Sequence, residues 1–184
     1  LPYLRPGDLL AHCYSCRPDG LMGDRPLASP DLVKAVESGV RLDVGHGINF
    51  SFAIARRMMA QGLLPYTISS DVHGDFATPH SDATLDYSLC GALSKLVALG
   101  MDLKTGIAAV TQHPAQVLGA EAELGTLRIG SRADITVLDK IQTAWVCRDA
   151  LGEQLIAPQK LAPAWVVRAG QLLQPHRHLV RDLA

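Results

Sequence analysis

The sequence of 184 residues contains no apolar run near the ~18 residues that a membrane-spanning helix needs, so no membrane partner is expected. A secretory signal is also missing: Leu1-Pro2-Tyr3-Leu4-Arg5-Pro6 has no charged segment leading into an apolar stretch, and a cytoplasmic location is expected. The first residue is not Met, so the natural N-terminus is expected upstream. There is no basic stripe, and a formal net charge of −1 with a pI near 6.7 argues against a nucleic-acid partner. Gly7, Gly20 and Gly23 lack the spacing of a nucleotide-binding fingerprint, and no GK[ST] follows them. With no G-x-S-x-G, a serine hydrolase has no support. The four cysteines are at 13, 16, 90 and 147. Cys13 and Cys16 form a CxxC without the second close pair of a zinc ribbon, and Arg17-Pro18-Asp19-Gly20 behind them suggests a loop, so reduced thiols are expected.

What is present is an ordinary globular composition, 48% hydrophobic and 19% charged, able to build a sizeable core. Asp8 to His12 suggests a short buried strand, followed by a Gly-, Pro- and Asp-rich loop. Ser29-Pro30 is an N-cap with Pro at the first helical position, and Gly39 closes that helix. Val40 to Val44 suggests a second strand, ending on Gly45-His46-Gly47. Ser51 caps a second helix stopped by Gly62, and Tyr66 to Ser70 suggests a third strand, ending on Asp71. The connections are long enough for right-handed crossovers, so the strands should be parallel. Helices are expected from about Thr84 to Leu99, over Leu103 to Val110, and over Ala115 to Leu118, the last opened by Pro114. After Gly119 the period changes to short strands: Gly125–Gly130, Asp134–Leu138, Ala144–Arg148, and a final hairpin around Trp165–Ala169 and Leu172-Leu173.

Three polar residues, His12, His46 and Asp71, fall at the ends of the three expected parallel strands, where α/β folds build active sites. Histidine and carboxylate are ligands for zinc and similar cations, and a carboxylate can shuttle a proton. Singly, each keeps a structural alternative. A lone His can be a satisfied core residue, Asp71 can cap a turn, and His46 can simply occupy a tight glycine loop. His73 and His80 could contact substrate or be solvated loop residues. His113, before Pro114, suggests a structural residue at a helix start.

Three segments resemble the amidohydrolase superfamily. Gly7-Asp8-Leu9-Leu10-Ala11-His12-Cys13 resembles its strand six, and Thr67-Ile68-Ser69-Ser70-Asp71-Val72-His73 its strand eight. Thr111 to Gly119, with Gly125-Thr126-Leu127 and Gly130-Ser131-Arg132-Ala133-Asp134-Ile135, resembles the exit from the barrel into a small β-sandwich domain. Asp43-Val44-Gly45-His46-Gly47 resembles strand seven of the dihydroorotase-like amidohydrolase or deacetylase branch. The resemblance implies an α/β fold: the C-terminal portion, about strands six to eight, of a (β/α)8 barrel over residues 1–120, then strands of a β-sandwich over 121–184. It implies that His12 and Asp71 bind metal, that Asp71 is catalytic, and that His46 and His73 contact substrate. The implied cofactor is one or two divalent ions, zinc first among them.

The implied function is metal-dependent hydrolysis of an amide or ester bond of an acylated small molecule, deacetylase-like, through activated water. The alternatives are a cyclic-amide hydrolase of the dihydroorotase or hydantoinase kind, and a non-catalytic remnant or interaction subunit. The family's HxH of strand one, bridging lysine of strand four and histidine of strand five have no counterpart here. The 184 residues alone are therefore expected to be inactive and poorly stable, with the rest supplied upstream, by a homo-oligomer or by a complementing chain.

Overall fold

The computed structural model describes residues 1–72 and 86–173. Its first half alternates short strands and helices: β1 (Leu9–Leu10), α1 (Pro30–Glu37), β2 (Arg41–Leu42) and α2 (Phe52–Ala60), followed by α3 (Leu89–Ala98), α4 (Leu103–Val110) and α5 (Gln112–Val117). Side-chain caps start four of these helices. Ser29, Ser51, Ser88 and Asp102 each accept a backbone N–H from the first turn of α1, α2, α3 and α4. Gly39, Gly62 and Gly100 leave α1, α2 and α3 with φ of 102°, 76° and 106°, a left-handed exit that carries no steric penalty for glycine.

The strands are parallel, as the crossover lengths predict. Leu9 pairs with Arg41 and Leu10 with Leu42, and Asp43 bridges Thr67 in the same sense. The third segment forms only that bridge rather than a regular ladder, yet its register continues. Val44, His46 and Gly47 donate backbone N–H groups to Thr67, Ser69 and Ser70 at 3.2, 2.9 and 3.0 Å. Three chain segments thus end side by side, on His12, on Gly45-His46-Gly47 and on Asp71.

The second half is an antiparallel sheet in the order β3 (Ile135–Arg148), β4 (Gln154–Arg168), β5 (Gln171–Leu173). Several sequence expectations change here. Residues 125–130 form a bend, irregular chain and a turn, not a strand. The expected strands at 134–138 and 144–148 are one continuous β3. Residues 154–163, which carry Pro158 and Pro163 and for which the sequence suggested no element, are strand. Proline has no N–H for a ladder, and both prolines lie beside the two register shifts between β3 and β4, where the ladder is already broken. The final hairpin forms as expected. Its turn is Ala169-Gly170 with φ of 48° and 79°, suited to the right-handed twist of the strands. Helix α5 opens at Gln112, two residues before the expected start, with Pro114 still inside the first turn, where its missing N–H is not needed.

One core joins the halves. Trp145, Cys147, Ala157 and Leu161 of the sheet are buried together with Leu93 and Leu96 of α3 and with Phe50 and Phe52. Polar ties cross the same boundary. The Ser94 hydroxyl accepts the Leu161 N–H at 2.9 Å, Asp149 accepts the Phe52 N–H at 2.9 Å, and Lys160 pairs with buried Asp86 at 2.8 Å. Among the described residues, no helix is long and apolar enough to cross a membrane.

Candidate metal centre

His12 and Asp71 meet at adjacent segment ends. His12 Nε2 stands 3.9 Å from Asp71 Oδ2, and the two side chains are 42% and 34% exposed, so solvent and a ligand can reach them. The other ring nitrogen, Nδ1, lies 2.9 Å from the Gly45 carbonyl. A carbonyl oxygen can only accept, so Nδ1 carries the hydrogen, and Nε2 is the ring nitrogen left to present a lone pair toward the carboxylate side. Two electron-pair donors facing each other across 3.9 Å are too far apart for a direct hydrogen bond. They are close enough for one cation held at about 2.0–2.2 Å from each. Both residues also hold left-handed backbone, φ 57° at His12 and φ 51° at Asp71, uncommon for residues with a Cβ and concentrated at functional sites.

Glycine makes the meeting possible. A Cβ at Gly45 would lie 2.6 Å from His12 Nδ1 and 2.9 Å from its Cε1. A Cβ at Gly47 would overlap Asp71 Oδ2 and lie 3.2 Å from Asp71 Cβ and Cγ. The two glycines therefore form a cradle, one floor for each candidate ligand. That is a physical reason for Gly-His-Gly that strand position alone did not reveal. The donor types, their lone pairs and the cradle fit a divalent cation. A catalytic zinc site uses about three protein ligands and water. Among the described residues no three His, Cys, Asp or Glu side chains converge on such a point, so His12 and Asp71 are a partial set.

His46 is not brought together with them. Along this segment Asp43, Gly45 and Gly47 face His12, Thr67, Ser69 and Asp71, whereas His46 points into the core at 1% exposure. Its ring stacks on Phe50 at 4.9 Å and meets the edge of Tyr87 at 5.9 Å. Its Nε2 lies 3.1 Å from Lys95 Nζ of α3. Burial, reinforced by the Lys95 charge, holds His46 well below the ordinary histidine range, so the ring is neutral. Burial likewise lowers Lys95 to about 8. Left-handed backbone at Gly45 (φ 50°) and Gly47 (φ 35°), on either side of a His46 N–H paired with Ser69, sets this placement, and the sequence does not show it until the register is known. His73 and His80 lie outside the described residues. His113 donates from Nδ1 to the Tyr66 carbonyl at 2.8 Å and stacks on the Tyr66 ring at 4.2 Å, the structural role expected of it.

The sequence reading missed Asp43. It is buried and accepts three hydrogen bonds, from Gly45 N at 2.9 Å, Thr67 Oγ1 at 2.6 Å and Ser69 Oγ at 2.6 Å. An acid set between Leu42 and Val44 was the available signal, since an acid rarely enters a core without partners.

The amidohydrolase family profile matches residues 41–171, and the chain belongs to that family. It is 33% identical to a deacetylase of Agrobacterium fabrum, an alignment covering 98% of this chain and 43% of that protein. A deacetylase of Brucella anthropi is 32% identical over 98% of this chain and 44% of its own length. Among solved structures, an adenine deaminase matches with a TM-score of 0.86 and 26% identity, over 95% of this chain and 46% of that one. A dihydroorotase matches with a TM-score of 0.77 and 31% identity, over 94% and 44%. The chain thus spans less than half the length of these relatives, and its fold is part of an amidohydrolase fold.

Proposed function

We propose that these residues form part of a metal-dependent hydrolase that cleaves the amide or ester bond of an acylated small molecule, as a deacetylase does. The observation that carries this reading is the pairing of His12 Nε2 with Asp71 Oδ2 at 3.9 Å over the Gly45/Gly47 cradle. Identity above 30% to proteins named deacetylase supports the substrate class. In this reading residues 1–120 supply about strands six to eight of a (β/α)8 barrel, and 121–184 supply strands of a small β-sandwich domain. The remaining ligands come from upstream residues, a homo-oligomer or a complementing chain.

His12 and Asp71 would hold the divalent ion, zinc in the first instance. That ion supplies Lewis acidity, making water acidic near neutral pH and polarising an acyl carbonyl. His12, locked through Nδ1, keeps Nε2 in the site. Asp71 orients the attacking water, takes its proton and returns it to the leaving nitrogen or oxygen. His73, two residues beyond Asp71, contacts the substrate. His46 shapes the pocket through its backbone, because anchoring its ring against Phe50 and Lys95 fixes the glycines on either side.

The test is a substrate panel on the complete protein, before and after chelation. N-acetyl amino acids and acetyl esters should turn over, with loss of rate on chelation and recovery on adding zinc. Preference for cyclic amides would instead favour the dihydroorotase-like alternative, which the similarity to a dihydroorotase supports. Full turnover after exhaustive chelation would overturn the metal-dependent reading.

Gly47→Ala gives a second check on the site. The new Cβ displaces the Asp71 carboxylate and sits at φ 35°, so stability should fall by about 1–2 kcal/mol. A misplacement on the scale of an ångström costs roughly 10²-fold in rate. Thermal melts and kcat/KM measured side by side separate the two. A variant as active as the parent would show that Asp71 need not occupy the position the cradle defines.

A further inference from the structure

Asp43 is buried at the meeting point of all three segments that build the site. Its backbone N–H donates to the Leu10 carbonyl at 2.9 Å, and its own carbonyl accepts the Cys13 N–H at 3.0 Å, so it grips the β1 segment on both sides of His12. Its side chain reaches the opposite way, to the Thr67 and Ser69 hydroxyls on the segment that ends at Asp71. Oδ2 also accepts the Gly45 N–H. The carbonyl of that same glycine accepts the Nδ1 hydrogen of His12. Gly45 is therefore tied on both sides, its N–H to the Asp43 carboxylate and its carbonyl to the ring that presents Nε2.

We propose that Asp43 is a positioning residue for the metal site, setting the ring orientation and tautomer of His12 through Gly45 and the placement of Asp71 through Thr67 and Ser69. The inference rests on the reading of His12 and Asp71 as ligands. Its physical basis is that the Gly45 N–H can only donate, and a carboxylate meets it and both hydroxyls with acceptors on either oxygen. An amide has one acceptor oxygen in place of two, so its NH2 must stand against the Gly45 N–H or make a hydroxyl reverse its role. An apolar residue leaves Gly45 N and two hydroxyls without their partner, and Gly45 is then free to turn its carbonyl away from His12. Outer partners that orient a ligating histidine are worth about 10- to 100-fold in metal affinity.

The experiment uses the complete protein, stripped of metal and titrated with zinc against a chromophoric chelator. Nitrogen-15 shifts of the labelled histidine rings are read in the metal-free state. Asp43→Asn should bind zinc about 10- to 100-fold more weakly, and the His12 signals should move from the Nδ1–H pattern toward a mixture of tautomers. A merely structural carboxylate would leave the tautomer in place. Ser69→Ala, the milder variant, keeps the Gly45 bond and removes one anchor of the Asp71 segment. It should weaken zinc binding by about tenfold, the low end of what such partners contribute, with the His12 tautomer unchanged, and it decides the matter if Asp43→Asn fails to fold. His12→Ala serves as the reference. If it weakens zinc binding while Asp43→Asn and Ser69→Ala bind as tightly as the parent, the role of Asp43 is overturned. If His12→Ala itself binds zinc normally, the metal-site reading fails and the inference falls with it.

Discussion

In the complete protein, Asp71→Asn lowers turnover by about 10²- to 10⁴-fold while most of the bound metal stays in place. That range is what one positioned acid–base group contributes to a proton-transfer step. Asparagine keeps the shape of the side chain and one oxygen that can face a cation, but it cannot take a proton from water at neutral pH. The change therefore separates holding from proton transfer. The site geometry favours a clean result, because Asp71 is partly exposed and approaches His12 without a direct hydrogen bond to it. Little local structure depends on its charge. The measurement is kcat with metal content determined on the same samples. Near-normal turnover would remove Asp71 from the proton-transfer role, and loss of metal in proportion to rate would reduce it to a ligand alone.

Lys160→Ala should destabilise the protein by about 3 kcal/mol without touching the site. Lys160 reaches from β4 across the Trp145 ring, 4.7 Å from its centroid, to the Asp86 carboxylate at 2.8 Å. Asp86 is 2% exposed and has a second tie at Oδ1, which accepts the Ser88 N–H at 2.9 Å at the start of α3. The loss comes less from the attraction removed than from a carboxylate left buried without its ion-pair partner. Lys160→Met is the informative partner. It keeps the packing over Trp145 but still strands the charge, so it should recover only the part due to the aliphatic stem. Asp86→Asn in the Lys160→Met background removes the stranded charge and should recover most of the remainder. Chemical denaturation of the three variants provides the comparison. A loss below about 0.5 kcal/mol for Lys160→Ala would show that water reaches Asp86 and that the pair behaves like a surface one.

Much of the first half could be derived from local chemistry. Ser29, Ser51 and Gly39 mark helix ends because capping and left-handed exit are properties of single residues and their neighbours. His12 and Asp71 stood out because a polar residue closing an apolar strand is unusual wherever the strand lies. The second half was harder to derive. Pro158 and Pro163 argue against strand locally, and they are tolerated in β4 only because the facing strand shifts register beside each of them. Nothing within β4 announces that. Burial of charge was equally hidden. Lys95 and Lys160 look like solvated side chains until α3 and the sheet are packed together around Asp86 and His46.

By itself the sequence determined the helix caps at Ser29 and Ser51, the parallel sense of the first strands, the polar residues at their ends and the resemblance to the amidohydrolases. Those depend on residues close along the chain, or on motifs that survive as strings. The tertiary structure decided which way each strand-end residue faces. His12 meets Asp71 because register sets Gly45 under one and Gly47 under the other. His46, between those two glycines, turns to the opposite side, since its N–H pairs with Ser69 while the left-handed glycines on either side turn the chain. Asp43 gained its place from register as well: its three donors come from Gly45 nearby and from Thr67 and Ser69 more than twenty residues away, brought within reach only by the parallel pairing of the segments.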